Sequence, residues 1–416
     1  MITKYTQAVK RFPAKFWVLV GASFIDSLGS TTVFPFFALY ITQKFNIGMS
    51  DAGILLGVFS VSGFIGSMVG GALTDKFGRR GMILYGLVIS AFSSVFMGLV
   101  NDLQVFYILA VAAGLLSNIA GPARQAMVAD LLPEEQRTEG FGIQRVFGNL
   151  AWIVGPSLGG LLAARSFLLL FIVDAIASVI TAVIVYRMLP ETKPAPSQDG
   201  GEMSVLDSIK GYGVITKDRI FAGFILASIL MILVYSQMYS TLSVYLRDVH
   251  AVSTQAYGAV MSSSAVAVVL FQFSVTRLIK PFQPLVLMAV GSLFYMIGFS
   301  MYGFVSAYYL FIMAMVVITI GEMVVMPVGQ ALVANMAPEE MRGRYMASYG
   351  LAWTIPNAIG PWAAGMIMDH YDPRWVWYLA GIIAATSAFG FLLLHSATRQ
   401  RFSSMAEMER KALTGD

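Results

Sequence analysis

Cysteine is absent from this 416-residue chain, and charged side chains are scarce. Without cysteine the chain can form no disulfide bond, no thiolate metal site and no cysteine nucleophile. Lys, Arg, Asp and Glu make up only 12% of the residues, against about 25% in an average soluble domain. So few charges cannot cover the surface of a soluble globular protein, and the sequence excludes that class.

Apolar side chains take the place of the missing charges, at 57% of the residues, and the mean hydropathy is +0.73. About 20 apolar residues in a helix cross the bilayer core, and continuous runs exclude the alternating pattern of a β-barrel. The chain is therefore predicted to be an all-α integral membrane protein. Its twelve predicted spans cover residues 16–43, 51–74, 81–100, 104–130, 138–164, 167–189, 220–246, 255–279, 284–304, 308–336, 343–368 and 374–396.

The basic residues predict the orientation of these spans. The twelve spans place the connecting loops alternately on the two sides of the membrane. Of the 27 Lys and Arg residues, those in the loops of one side are Lys44, Arg165, Arg247 and Arg374. Apart from two arginines inside spans, the others fall on the opposite side. The positive-inside rule then places both termini and the loop 190–219 in the cytoplasm and the protein in the inner (plasma) membrane. The net charge of +4 follows from this bias, so no nucleic-acid partner is needed to explain it.

The chain contains an internal repeat. Residues 122–137, PARQAMVADLLPEEQR, return as residues 327–342, PVGQALVANMAPEEMR, and the Gly-Pro pair at Gly155 returns at Gly360 with the same offset. A repeat of half the chain indicates two homologous, parallel halves related by an axis along the membrane normal, with a binding site near the midplane. The predicted domains are the halves 1–189 and 220–396, the linker 190–219 and a cytoplasmic tail 397–416.

The loop between spans two and three reads GGALTDKFGRRGMIL, residues 70–84. A glycine at 71 allows close helix approach, a glycine at 78 allows a tight turn, and Asp75 is placed to pair with Arg79 or Arg80. An ion pair that is partly out of water can stabilise one conformation and break in another, although a purely topogenic basic loop is the alternative. The predicted conformational latch consists of Gly71, Asp75, Gly78, Arg79, Arg80 and Asp130.

At this loop the chain resembles the major facilitator superfamily, whose signature there is G-x-L-x-D-x-x-G-R-R/K. The resemblance extends over the whole chain and is closest to the bacterial drug:proton antiporter branch. It implies twelve helices in two pseudo-symmetric six-helix bundles, a cavity lined by spans one, four, seven and ten, and secondary active transport by alternating access. The family's usual arginine early in span four is missing, because Leu109 and Ala110 occupy that region.

Span five contains AWIVGPSLGG, residues 151–160, which is similar to the antiporter motif of this family. The matching residues are Gly155, Pro156, Gly159 and Gly160, while Ala151 replaces the first glycine of the motif. The resemblance implies export by exchange. Ordinary packing of small residues is the alternative, because the second half carries a similar stretch at residues 359–365.

Three carboxylates fall inside predicted spans and away from the ends of those spans, where a charge is costly and normally faces a cavity or a partner. Glu322 lies near the middle of span ten, in TIGEMVVMP, which resembles the proton-carrying segment of drug exporters in this family. Asp26 in span one is the second candidate for proton coupling or substrate binding. Asp174 in span six is expected to bind a backbone or Ser/Thr partner. Arg124 and Arg145 are expected to snorkel or to pair with Asp130, as gate or structural residues.

Aromatic and polar side chains of span seven repeat at helical spacing in YSQMYSTLSVY, residues 235–245. They could stack on a flat, cationic or amphipathic molecule, or they could form an interfacial belt. The predicted cavity residues are Tyr235, Gln237, Tyr239, Met326 and Gln330.

These features favour a proton-coupled antiporter, acting as a monomer, that exports small hydrophobic or cationic compounds. The alternative is a proton-coupled transporter of a metabolite or lipid-like solute. A polytopic membrane enzyme is the least favoured class, because the chain lacks an HExxH or nucleotide-binding motif and has only three histidines. No cofactor and no metal are predicted, and the partners are protons, the substrate and the bilayer.

Overall fold

The computed structural model describes residues 11–193, 218–337 and 342–414. The helices of the first half are α1 (Ala14–Val33), α2 (Phe37–Phe45), α3 (Met49–Phe77), α4 (Arg79–Leu99), α5 (Leu103–Asn118), α6 (Ala120–Leu131), α7 (Glu134–Ala163) and α8 (Phe167–Met188). Those of the second half are α9 (Arg219–Ser236), α10 (Thr241–His250), α11 (Thr254–Ile279), α12 (Pro284–Phe304), α13 (Tyr308–Met336), α14 (Arg342–His370) and α15 (Trp375–Thr414). The amphipathic helix suggested by the linker sequence lies outside the described residues.

The helices correspond to the twelve predicted spans. Eleven of these spans contain a helix that is long and apolar enough to cross a membrane. Span eleven is α14, which has the necessary length, 29 residues, but is less apolar because Gly, Pro, Tyr and Trp interrupt its aliphatic side chains. The last helix, α15, runs on to Thr414, so the predicted tail continues the helix of span twelve.

Three spans are each built from more than one helical segment. In span one, a 3-10 turn at Phe34–Phe36 joins α1 to α2. In span four, the helix is interrupted at Ile119, between α5 and α6. Pro122 explains this interruption, because it has no N–H to donate to the carbonyl of Asn118 and its ring crowds that carbonyl. Span seven is interrupted between Ser236 and Thr241.

The break in span seven corrects the prediction of one continuous helix over 220–246. Hydroxyl groups surround the break and compete for backbone carbonyls, which weakens a helix. Ser236 donates to the Leu233 carbonyl at 3.0 Å, and Ser243 donates to the Ser240 carbonyl at 3.2 Å. The Gln237 carbonyl accepts the backbone N–H groups of both Thr241, at 3.1 Å, and Leu242, at 3.0 Å. The helical spacing inferred for residues 235–245 is therefore interrupted at residues 237–240 and resumes in α10.

Most helix packing joins helices of the same half. In the first half, α1 packs against α7 and α8, α4 against α8, and α3 against α5. In the second half, α12 packs against α13 and α15, and α9 packs against α15. The twelve spans therefore form two bundles of six, as the repeat predicts.

The chain also divides into two compact units whose limits differ from those of the halves. Among the described residues, one unit contains 11–193, 237–265 and 357–370, and the other contains 218–236, 266–337, 342–356 and 371–414. In the first unit, one apolar core joins first-half residues such as Phe37 and Leu55 to Val244 of α10 and Met368 of α14. The predicted domain limits, 1–189 and 220–396, remain a prediction about the symmetry of the two halves.

Candidate functional site

A cavity of about 530 Å³ lies within the first compact unit, bounded by α1, α4, α5, α6 and α7. Its lining is largely polar and consists of Asp26, Gly86, Leu87, Ser90, Ser117, Asn118, Ala120, Gly121, Arg124, Gln125, Phe141, Gln144 and Arg145. Glu322 does not line this cavity.

Asp26 and Arg124 form an ion pair at this cavity. One oxygen, Oδ2 of Asp26, lies 2.9 Å from Nη1 of Arg124, and the side chains are 17% and 24% exposed. The other oxygen, Oδ1, accepts a hydrogen bond from the hydroxyl of Ser178 at 3.2 Å. The pair neutralises both charges inside the bundle, which lowers the cost of keeping either in a medium of low dielectric constant.

This pair corrects the expectation that Arg124 pairs with Asp130. The two residues are six positions apart on α6, so their side chains leave the helix in different directions. Arg124 points into the cavity, whereas Asp130 pairs with Arg79. Charges inside a membrane normally pair with each other, so the opposite signs of Asp26 and Arg124 were the available signal, but Asp130 and Asp174 carried the same signal. Arg145 lines the same cavity, so it is also placed where a ligand could reach it.

Asp174, the third of these carboxylates, packs between helices of the first half. It is buried in α8 and accepts a short hydrogen bond from the hydroxyl of Ser94 on α4. Its backbone lies against Gly29 of α1, where a Cβ atom would come within 3.1 Å of the Asp174 Cα. The expected serine or threonine partner is therefore Ser94, and Asp174 does not line the cavity.

Glu322 lies at the middle of α13, in the second compact unit. It is half-buried, it accepts a hydrogen bond from the hydroxyl of Tyr235 on α9, and the ion pairs among the described residues do not include it. Gly321 allows α12 to approach closely, because a Cβ atom there would lie 2.8 Å from the Gly291 carbonyl oxygen. The carboxyl group thus has one hydroxyl donor and no positive partner in the described parts of the chain.

The residues predicted to line a cavity on spans seven and ten are divided between the two compact units, with Gln237 and Tyr239 in the first and the others in the second. Tyr235 packs against Tyr295 and Trp353 of the second unit, with ring centroids 5.6 and 6.0 Å apart. Beyond the break, Gln237 is buried and accepts a hydrogen bond from the Thr241 hydroxyl, while Tyr239 stacks edge-on against Trp152 at 4.9 Å.

Met326 and Gln330 follow Glu322 by one and two turns on α13, so the three side chains share a face of that helix. Met326 is half-buried and Gln330 is exposed. The site that the sequence predicts on span ten would therefore occupy one face of α13, and it remains a prediction.

The predicted latch is partly assembled. Nε of Arg79 lies 3.1 Å from Oδ2 of Asp130, with side chains 11% and 23% exposed. Gly78 has a φ of +90°, which is the tight turn that the sequence predicts. The side chain of Asp75 lies outside the described part of the structure, so its predicted pairing remains a prediction.

Gly71 does not have the predicted role in this conformation. No atom of the described residues lies within 4 Å of the position of a Cβ atom at Gly71. The close approach is made one residue earlier, where a Cβ atom at Gly70 would lie 2.8 Å from the Cα of Ile119.

A residue that the sequence analysis missed completes the latch region. Glu191, which follows α8, accepts the backbone N–H of Arg79 at 2.7 Å and of Arg80 at 3.1 Å, so it caps the N-terminus of α4. The adjacent Thr192 donates its hydroxyl to Asp130 at 3.0 Å. Burial raises the pKa of Glu191, whereas hydrogen bonds from the backbone N–H groups of Arg79, Lys193, Gly81 and Thr192 lower it. The hydrogen bonds together outweigh burial, so the pKa of Glu191 is below the ordinary value of 4.5. The sequence signal that could have indicated this cap is a carboxylate just after predicted span six, on the same side of the membrane as the N-terminus of α4.

The glycine-rich motif of span five serves close packing. A Cβ atom at Gly155 would collide with the side chain of Thr31, and one at Gly159 would collide with the Thr32 carbonyl. Gly160 lies against Gly258 of α11, where added Cβ atoms would come within 2.9 Å of the opposite Cα. Thr31 also donates to the Ala151 carbonyl at 3.0 Å. This packing explains the motif without assigning it a direction of transport.

Close packing also joins α3 to α14 at the end of the bundle that is predicted to be extracytoplasmic. The carboxylate of Asp369 accepts the backbone N–H groups of Met49 at 2.9 Å and Ser50 at 2.8 Å, and also the Ser50 hydroxyl. At Gly365 a Cβ atom would lie 2.5 Å from the backbone of Met49. Neither residue was a predicted site residue. Among the described residues, no group of three or more His, Asp or Glu is placed to hold a metal ion.

Comparison with known proteins gives a consistent result. The sequence profile of the Major Facilitator Superfamily matches residues 19–322 and 251–415. A Na(+), Li(+), K(+)/H(+) antiporter of Planococcus maritimus is 27% identical over 401 residues, which cover 90% of this chain and 94% of the relative. The MFS-type transporter YttB of Bacillus subtilis is 29% identical over 87% of this chain and 90% of its own. The quinolone resistance protein NorA of Staphylococcus aureus is 22% identical over 89% and 94%, respectively.

Solved structures share the fold. The nucleoside transporter NupG superposes with a TM-score of 0.77 at 13% identity, covering 91% of this chain and 99% of its own. A peptide transporter of the POT family superposes with a TM-score of 0.76 at 16% identity, covering 94% and 95%. At these identities the likeness concerns the fold of twelve helices in two bundles.

Proposed function

This chain belongs to the major facilitator superfamily of membrane transporters, and we propose that it is a proton-coupled antiporter that exports a small organic compound. The observation that carries the proposal is Glu322, a half-buried carboxyl group in the middle of α13 with one hydroxyl donor and no ion pair among the described residues. A charge in that position is costly, so the carboxyl group gains or loses its proton when its surroundings change. The names of two relatives, an antiporter and a resistance protein, support antiport and export.

The proposed cycle uses mutually exclusive binding of proton and substrate. When the protein opens to the acidic side, Glu322 takes up a proton, and the neutral acid no longer attracts a cationic or polar substrate. The protein then opens to the cytoplasm, where the higher pH removes the proton and the carboxylate, with Tyr235 beside it, favours substrate again. Competition between two ligands for one site is sufficient to couple their movements in opposite directions. Asp26 is the second proton-binding candidate in this scheme.

The latch residues fit the same cycle. We expect the Arg79–Asp130 pair, together with Asp75, to stabilise one of the two conformations and to separate in the other. Since Arg79 is only 11% exposed, the pair is partly screened from water and contributes more than a surface pair would.

The test of antiport is flux through the purified full chain in proteoliposomes that contain the pH indicator pyranine. In one arm a quinolone is supplied and in another Na⁺, each with and without an imposed pH gradient. We expect the quinolone to exchange for protons in the wild-type protein, and the Glu322→Gln variant to lose gradient-driven flux. Glu139→Gln is the matched control, because that carboxylate is 49% exposed and its contact with Arg11 spans 3.9 Å.

The alternative outcomes decide between functions. Exchange of Na⁺ but not of the quinolone would make the protein a monovalent-cation antiporter. Protons and substrate moving in the same direction would support the alternative of a symporter for a metabolite or lipid-like solute. If Glu322→Gln retains full gradient-driven flux, the proton is carried elsewhere and Asp26 is tested next.

The proposed topology is tested separately. Because the chain contains no cysteine, single cysteines introduced near each terminus are the only thiols in the protein. A membrane-impermeant maleimide applied to intact cells should leave both unlabelled, since both termini are expected in the cytoplasm. Labelling of either terminus from outside would contradict the orientation.

A further inference from the structure

The cavity beside α1 carries an internal pair of opposite charges, and we infer that it is a binding site for a zwitterionic organic molecule. Such a ligand would place its anionic group on Arg124 and Arg145 and its cationic group on Asp26, in place of the internal ion pair. The binding claim stands on the cavity alone, whereas the claim that this ligand is transported rests on the proposed function.

The first argument is the charge of the lining. Two guanidinium groups, of Arg124 and Arg145, and one carboxylate, of Asp26, face the same space. A guanidinium presents several N–H donors in a planar fork that fits a carboxylate or phosphate in bidentate fashion. Nη1 of Arg124 lies 2.9 Å from Oδ2 of Asp26, so an anionic ligand group on Arg124 would compete with Asp26 for the same guanidinium.

The second argument is the cost of separating the pair. Removing one partner of a buried ion pair leaves the other charge uncompensated, which is strongly unfavourable. A purely anionic ligand on Arg124 would leave Asp26 without its partner, and a purely cationic ligand on Asp26 would leave Arg124 without its partner. A zwitterion replaces both partners at once, so neither Asp26 nor Arg124 loses its counterion.

The third argument is size and shape. A cavity of about 530 Å³ is within the roughly 300–1,000 Å³ range of small-molecule sites, and it is far larger than a dehydrated alkali ion requires. Phe141 and Leu87 supply apolar surface for the body of a ligand, and the amides of Asn118, Gln125 and Gln144 supply donors and acceptors. This lining fits an organic molecule that has an apolar body and two opposite charges.

The test is equilibrium binding by titration calorimetry to the purified full chain in lipid nanodiscs near pH 7. Two ligand series are used, each in three charge forms: tryptophan with its methyl ester and its N-acetyl derivative, and a piperazinyl quinolone with the same two modifications. Each ester is a cation and each acetyl compound is an anion on the same body. We expect at least one zwitterion to bind about tenfold or more tightly than both of its modified forms, the factor expected from a hydrogen bond to a charged group.

Variants assign the two charges separately. Arg124→Gln is expected to weaken the zwitterion and the anion by about tenfold while leaving the cationic ester unchanged or tighter. Asp26→Asn is expected to weaken the zwitterion and the ester but not the anion. The double variant Asp26→Asn, Arg124→Gln leaves neither member of the pair uncompensated, so it should fold even where a single variant fails, and it should lose the preference for zwitterions. Asp174→Asn is the matched control, since that buried carboxylate of the same bundle does not line the cavity.

Each unfavourable outcome overturns the inference. If neither zwitterion binds, or if an ester or acetyl compound binds as tightly as its zwitterion, the cavity is not a zwitterion site. Equal losses in Asp174→Asn and in the cavity variants would place binding elsewhere. The proposed function fails independently: zwitterion binding without gradient-driven flux would retain the site and refute the antiporter, and proton-driven flux without this selectivity would do the reverse.

Discussion

Asp369 caps the first turn of α3 through the backbone of Ser50, although the two residues come from opposite halves of the chain. Its two carboxylate oxygens accept the N–H groups of Met49 and Ser50, and Oδ2 also accepts the Ser50 hydroxyl. A carboxylate at a helix N-terminus satisfies donors that have no partner within the helix and interacts favourably with the helix dipole. The contact therefore stabilises the arrangement in which α3 and the end of α14 lie together.

Asp369→Asn is expected to lower stability by about 1 kcal/mol, the usual value of a helix cap, because an amide has no charge and one fewer acceptor. The measurement is the thermal unfolding midpoint of the purified protein followed by tryptophan fluorescence. Asp51→Asn, in the first turn of the same helix, is the control and should have a smaller effect, since no hydrogen bond to its carboxylate occurs among the described residues. Equal shifts of the unfolding midpoint in the two variants would show that loss of a negative charge, and not loss of the Asp369 hydrogen bonds, lowers the stability.

Gly365→Ala tests the close packing of α14 on α3. An added Cβ atom would lie 2.5 Å from the Met49 backbone, which cannot move aside as a flexible side chain can, so we expect a loss of about 1–3 kcal/mol. Gly350→Ala on the same helix is the matched control, because nothing lies within 4 Å of that position. It should be neutral or slightly stabilising, since alanine favours a helix over glycine. Unchanged unfolding midpoints in both variants would show that the two helices are not in close contact.

Glu191 predicts a pH dependence of stability. Its pKa in the folded protein is below the ordinary value of 4.5, so it stabilises the folded state fully above the pKa of the unfolded chain. That contribution decreases as the pH falls below about 4.5 and is lost once the pH drops through the lowered folded-state pKa. The expected result is that wild type loses more stability than Glu191→Gln between pH 6 and pH 3. Parallel curves for the two proteins would exclude Glu191 as the titrating group.

Asp130→Asn tests the latch. The substitution removes the negative charge that lies 3.1 Å from the largely buried guanidinium of Arg79, so we expect slower transport with substrate binding retained. Flux in proteoliposomes and calorimetric binding measure the two properties separately. Glu139→Gln serves as control, because its partner Arg11 is 64% exposed and such a pair contributes little. Wild-type flux in Asp130→Asn would mean that the loop serves only to orient the protein in the membrane.

Much of the fold could be predicted from the sequence because its causes are local. Apolar runs of the length of a bilayer predict helices wherever they occur, and the arginine and lysine distribution predicts one orientation for all of them. The repeat around Pro122 and Pro327 predicts two similar halves. The turn at Gly78 followed from the residue type, because glycine adopts positive φ without a steric penalty.

Local signals were not sufficient in two places, one within span seven and one between helices. The interruption after Ser236 has no proline or glycine to announce it, and it depends on hydroxyls that find carbonyls nearby. Arg124 had several carboxylates within reach in principle, and only the direction of its side chain from α6 selected Asp26.

The sequence by itself therefore determined the class of protein, the number of spans, the family signature and the carboxylates that need an explanation inside the membrane. Tertiary structure alone decided that Asp26 meets Arg124, that Glu191 caps α4 and that Asp369 caps α3. The physical reason is the separation of the interacting residues along the chain. The length of an apolar run and the backbone preference of a residue are properties of one segment. An ion pair or a cap between helices exists only after packing has brought distant segments together.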